Sequence, residues 1–144
     1  MLTDPANKII QVAIGVLVRE RDGCTEVLVT KRPTDTELGG YWEFPGGKIH
    51  ADESPEACVV REFLEEVGVS IRVGRALPLI EHTYDYGTVR LHPFLCADGD
   101  CQVRHLEVVD HRWVDAAELT SVDFPPANTD LVRSIQSFLS QQSK

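Results

Sequence analysis

Between Arg61 and Glu66 the chain reads Arg-Glu-Phe-Leu-Glu-Glu, which sets the carboxylates of Glu62, Glu65 and Glu66 beside one arginine. On a helix turning about 100° per residue, Glu66 lies about 40° to one side of Glu62 and Glu65 about 60° to the other. Like charges at helical spacing repel by a few tenths of a kcal/mol per pair. They also sit towards the helix C-terminus, where the dipole disfavours anions. Stability alone does not call for them there. Two readings stand: a solvated acidic face, or hard oxygen ligands for Mg²⁺ or Mn²⁺, with phosphate oxygens completing the shell. Ala57, Val60, Phe63, Leu64 and Val67 form an apolar stripe on the other side, so the acids are expected to face away from the core.

The elements that must position this cluster are legible from local signals. Ser54-Pro55 is a helix start, because serine caps free amides and proline gives up no needed donor at the first helical position. The helix is expected over 55–67, stopped by Gly68 in the left-handed capping conformation. Upstream, Gln11–Arg19 reads as a buried strand, Glu20–Gly23 as a turn and Thr25–Arg32 as its hairpin partner. A polar loop over 33–40 leads to a short strand, 41–44, halted by Pro45-Gly46-Gly47. Strands are expected over 71–84, 88–96 and 110–114, then helices over 116–119 and 129–139. This mixture predicts an α/β or α+β domain, a sheet sandwiched by helices.

Composition excludes several classes of function. A chain of 144 residues, 42% hydrophobic and 26% charged, is ordinary for one soluble domain. A net charge of −9 argues against a non-specific grip on nucleic acid, although divalent cations can bridge an acidic enzyme to a phosphorylated small molecule. No apolar run is long enough to span a membrane, and the N-terminus lacks the pattern of a signal peptide, so a cytoplasmic monomer is expected. The four cysteines, Cys24, Cys58, Cys96 and Cys101, include no Cys-x2-Cys pair, and reduced thiols are expected. Cys58 lies on the acidic side of the helix, and Mg²⁺ disfavours sulfur, so it reads as a small packing residue.

The wider spacing, Gly47-x5-Glu53-x7-Arg61-Glu62-Phe63-x-Glu65-Glu66-x-Gly68-Val69, resembles the signature of the Nudix hydrolases. Phe63 stands where that family usually has an aliphatic residue, and it remains apolar. The resemblance implies an α/β/α sandwich with a mixed central sheet, and cleavage of a phosphoanhydride in a nucleoside diphosphate linked to a further group. It implies Glu62 and Glu66 as principal metal ligands, Glu65 as an additional ligand or support, and the Gly46 carbonyl as a further ligand. Glu62 would also help deprotonate water, Arg61 would orient the carboxylates, and Glu53 would hold the loop–helix geometry.

Lys31-Arg32, Trp42–Lys48 and Asp123–Asn128 are similar to segments of the MutT branch, which hydrolyses oxidised purine nucleotides such as 8-oxo-dGTP. By that resemblance Asn128 would read the base edge and Phe44 would pack on the base. Arg32 and Glu37, with Glu43, Pro45 and Gly46, would line the pocket, and Glu107 would add a late carboxylate. Each has an alternative: Asn128 as a helix cap, Phe44 as core, Arg32 as a strand-edge charge and Glu107 as an exposed loop acid. Where the branch carries an Asp-Arg pair near the base, equal spacing places Tyr86-Gly87, which could offer stacking and backbone contacts. The activity so implied converts 8-oxo-dGTP to 8-oxo-dGMP and pyrophosphate, cleansing the precursor pool for DNA synthesis. The rivals are pyrophosphohydrolysis of CTP or dCTP, and a silent nucleotide sensor.

Overall fold

The structure, a computed structural model, describes residues 8–35, 39–97 and 102–142, without the side chains of 127 and 142. Glu37 and Cys101 lie outside the described residues. The architecture follows from the first strand, β1 (Ile9–Arg21), which is long enough to serve two sheet segments. Its first half pairs in parallel with β7 (Gly87–Ala97), from Ile9 opposite Thr88 to Leu17 opposite Cys96. Its second half turns antiparallel onto β2 (Cys24–Lys31), through Val18 opposite Val27. The turn between them is Asp22-Gly23, both with positive φ (53° and 78°), the twist that matches a tight hairpin.

Short strands fill in around this axis. β2 pairs with β3 (Trp42–Glu43) and with β8 (Asp110–Val114). Gly46 and Gly47, read from the sequence with Pro45 as a strand terminator, instead open β4 (Gly46–Lys48), antiparallel to Val12–Ile14 of β1. The segment expected as one strand over 71–84 is split into β5 (Arg72–Ala76) and β6 (Ile80–Tyr84), both on β7. The break falls at Leu77-Pro78-Leu79, because Pro78 has no amide to give the ladder. Leu77 keeps its own bond, donating to Pro93 O at 2.8 Å.

Helices cover both faces. Helix α1 (Pro55–Val67) lies on one face, where Val59, Phe63 and Val67 pack with Ala13, Leu17 and Leu28. Helices α2 (Ala116–Leu119) and α3 (Thr129–Gln142) lie on the other, where Leu119, Leu131 and Ile135 pack with Ile14, Val16 and Val27. Alternate residues of β1 thus feed opposite cores, as the two-residue period of a strand requires. The result is the expected α/β/α sandwich on a mixed sheet. No helix among the described residues is long and apolar enough to cross a membrane.

Helix α1 begins and ends as its sequence requires. Ser54 Oγ accepts from the Ala57 amide at 3.1 Å, and Gly68 closes the helix at φ 67°. Its orientation differs from the expected one. Leu64 is 48% exposed and Ala57 is exposed, whereas Cys58 and Glu66 are buried. The reason lies in two glycines. A Cβ on Gly15 would collide with Phe63 and Val59, and one on Gly47 would enter the Glu62 carboxylate. The helix closes on the sheet along those bare positions, which draws the Glu62–Glu66 edge inwards.

Candidate active site

Strand β4, the loop after it and helix α1 are tied together by one guanidinium. Arg61 grips Glu53 with two bonds, Nε to Oε2 at 2.7 Å and Nη2 to Oε1 at 3.1 Å. Its Nη1 donates to Glu62 at 3.0 Å and to Glu65 at 3.2 Å, and Nη2 reaches the Lys48 carbonyl at 3.2 Å. A planar fork can satisfy these partners at once, which an ammonium cannot. The hydrogen bonds from Arg61 and from the His50 amide hold the Glu53 carboxyl down at about 2. The same Glu53 bond raises the Arg61 pKa.

Glu66 has the opposite environment. It is 7% exposed, and burial, followed by its hydrogen bond with Glu62 and the nearby Glu43 charge, drives its pKa well upwards. One backbone donor, Gly46 N at 3.3 Å, partly offsets this. Burial also raises Glu43, against the pull of Arg32, whose Nη1 lies 3.3 Å from Glu43 Oε2. Three carboxylates thus crowd one partly dry place, an arrangement that a bound divalent cation relieves. The donors are all hard oxygens, so the site fits a cation of the Mg²⁺ type rather than a thiophilic one. Burial pushes the Cys58 thiol to about 11, and its Sγ donates to Gly47 O at 3.4 Å, so it serves packing rather than chemistry.

A cleft of about 490 Å³ gathers most of the anticipated residues: Arg32, Glu43, Phe44, Gly46, Glu62, Glu66, Glu107 and Asn128 all line it. Gly46 is seen to act through its amide. Glu107 comes from the loop before β8 and is held by its own amide, which donates to the Glu66 carbonyl at 3.0 Å. Asn128 closes a 3₁₀ turn, Pro126–Asn128, at the head of α3. Its side-chain amide takes no partner among the described residues and is half-buried. Phe44 is at once core and cleft wall, stacked on Phe124 with centroids 5.3 Å apart. Pro45 is buried and anchors the loop by accepting from Gly15 N at 2.9 Å.

Other anticipated residues are placed elsewhere. Glu65 is 47% exposed, bound to Arg61 at the rim and not among the cleft-lining residues. Tyr86 and Gly87 sit at the turn between β6 and β7, outside the cleft lining. There Tyr86 is 54% exposed and stacks on Tyr84 at 5.0 Å. Gly87 has φ 144°, and a Cβ there would strike the Lys8 carbonyl, a structural reason for glycine at that turn. Sequence reasoning missed the apolar wall of Val12, Ile14, Leu91 and Leu131, and it missed Lys48. The wall is built from neighbouring strands and α3, and only the parallel pairing of Val12 with Leu91 reveals it.

An acid-rich cleft, with an arginine-braced loop and helix below a mixed sheet, belongs to a hydrolase acting on phosphoanhydrides. The NUDIX domain model matches residues 14–134, and the chain belongs to the Nudix family. It is 30% identical over 129 residues to the 8-oxo-dGTP diphosphatase of Escherichia coli K12, covering 90% of this chain and 98% of that protein. It is 29% identical over 127 residues to the CTP pyrophosphohydrolase of the same organism, with 88% and 91% covered. A solved MutT structure, from a study of Aliivibrio salmonicida and Vibrio cholerae, superposes with a TM-score of 0.69 at 32% identity. That match covers 91% of this chain and 99% of the other.

Proposed function

We propose that this chain, acting as one Nudix domain, hydrolyses 8-oxo-dGTP to 8-oxo-dGMP and pyrophosphate with Mg²⁺. The observation that carries the reading is the meeting, in one cleft, of clustered carboxylates with an apolar wall and a side-chain amide, that of Asn128, which has no partner among the described residues. Glu62 and Glu66 would hold the cation, with Glu107 and the neighbouring Glu43 completing or supporting the donor set. When bound, Mg²⁺ neutralises phosphate oxygens and lowers the pKa of coordinated water. Arg61 keeps the Glu62 carboxylate in one orientation, and Glu53 keeps Arg61 in place. Glu65, on the same guanidinium, supports that brace from the rim. Glu62, its carboxylate oriented by Arg61 at 3.0 Å, would help accept a proton from attacking water.

The base would enter between Phe44 and the aliphatic wall. There the Asn128 amide, donor and acceptor together, can read a purine edge that carries both kinds of group. Arg32 would offer its charge to the substrate in place of part of its contact with Glu43. Glu37 belongs to the same proposed pocket by resemblance. A second reading, CTP or dCTP as substrate, is favoured by one feature: Tyr86-Gly87 replaces the Asp-Arg pair of the MutT branch and stands outside the cleft lining.

The deciding measurement is kcat/KM across 8-oxo-dGTP, dGTP, CTP and dCTP in Mg²⁺. We expect 8-oxo-dGTP to exceed dGTP by at least about tenfold, the worth of roughly one good hydrogen bond to the base. Equal or greater values for CTP or dGTP would sink the 8-oxo-dGTP assignment. No turnover of any nucleotide would point to a binding role.

A further inference from the structure

Away from the cleft, His105, Asp110 and His111 bring three potential ligand atoms within 4.8 Å of one another. His105 Nε2 and His111 Nδ1 are 2.8 Å apart, and the rings meet edge to face with centroids 5.1 Å apart. Asp110 is oriented by its own neighbour, Oδ1 accepting from the His111 amide at 2.8 Å. Asp110 and His111 are fixed on β8, in register with Lys31 and Thr30 of β2. His105 arrives from the loop before β8, whose Arg104 and Leu106 amides bond to the Val67 and Glu66 carbonyls at 2.9 and 3.1 Å. The donors therefore come from two anchored backbones and need no ordering of a free segment.

Two Zn–N bonds of about 2.0–2.1 Å at a tetrahedral angle separate their nitrogens by roughly 3.4 Å. The observed pair needs to open by about half an ångström to reach that spacing, a small movement for the exposed His105 ring. Two imidazoles with one carboxylate are the donors of Zn²⁺ and similar transition metals, whereas Mg²⁺ prefers oxygen throughout. Arg19, whose charge reaches His111, is already engaged: Glu26 pairs with it at 2.8 Å and Trp113 lies under its guanidinium.

We propose that His105, Asp110 and His111 form a Zn²⁺-class metal site, with the remaining coordination position open to solvent. It does not depend on the substrate or the chemistry of the cleft. A metal there would join β8 to the loop that presents Glu107 to the cleft, only Leu106 standing between His105 and Glu107.

The test is Zn²⁺ titration by calorimetry in saturating Mg²⁺, with wild type, His105→Ala, His111→Gln and Cys24→Ser. Expected is one Zn²⁺ per wild-type chain that excess Mg²⁺ does not displace, weakened at least about tenfold in either histidine variant and unchanged in Cys24→Ser. Zn²⁺ should also raise the melting temperature of the wild type and leave that of His105→Ala where it was. Equal affinity in wild type and His105→Ala overturns the proposal. So does loss of binding in Cys24→Ser, which would assign the ion to a thiol, or failure of the wild type to bind Zn²⁺ at all. His105 is exposed on a loop, so metal-free melting of its variant should match wild type and separate lost ligation from lost folding.

Discussion

The Glu66 carboxylate is buried beside Glu43 and Glu62 and receives one backbone amide in return. An anion so placed is costly to the metal-free fold, and its proton is correspondingly hard to remove. Replacing Glu66 by Gln keeps the shape and removes the charge. We therefore expect Glu66→Gln to lower kcat by on the order of 100-fold or more. The same variant should raise the melting temperature in chelator by roughly 3 °C, equivalent to about 1 kcal/mol in a domain of this size. Activity assays with differential scanning calorimetry check both halves. A variant that is less stable in chelator would show that Glu66 is already well satisfied by Gly46.

At the scale of elements, the site depends on how closely β4 approaches α1. Gly47 leaves the space that the Glu62 carboxylate fills, and a methyl group there has nowhere else to go. Gly47→Ala should displace Glu62 from Arg61 while the strand pairing of β4 with β1 persists. The expected outcome is a loss in kcat of about 10- to 100-fold, the range seen when a supporting contact is removed. Circular dichroism should stay that of the wild type. Wild-type turnover would mean that α1 can retreat without consequence. The helix itself was legible from its caps, because Ser54, Pro55 and Gly68 act through bonds a few residues away. Which of its faces would be buried was not. That depended on Gly15 and Gly47, whose meeting with α1 is a tertiary event.

Across the whole molecule, two carboxylates give stability opposite dependences on pH. Glu53 is held down at about 2, so its contribution is complete above the unfolded value of about 4.3 and is lost as pH falls from there through 2. Glu66 is held up, so its cost is absent in acid and grows as pH rises above about 4.3. The melting temperature of wild type minus that of Glu53→Gln should therefore shrink between pH 5 and pH 2. The excess of Glu66→Gln over wild type, in chelator, should widen from pH 4 towards pH 7. Melting curves at constant ionic strength read both trends, and parallel curves in either pair would contradict the assignment.

Local chemistry determined much of this protein in advance. Caps and turns act within a few bonds, and strand composition reflects burial on a sheet, so α1, α2, β8 and the β1–β2 hairpin were readable from the chain. The carboxylate cluster was readable too: helical spacing grouped the acids, and the resemblance to the Nudix signature gave them an expected role. Tertiary structure alone decided the rest. Residues 46–48 became a strand because Val12–Ile14 offered an open edge, and Glu66 was drawn inside because the bare glycines let the helix settle there. The apolar wall of the cleft and the His105–His111 contact join residues far apart in sequence or on different elements. No local interaction encodes such meetings; they exist only once the sheet has brought its strands together.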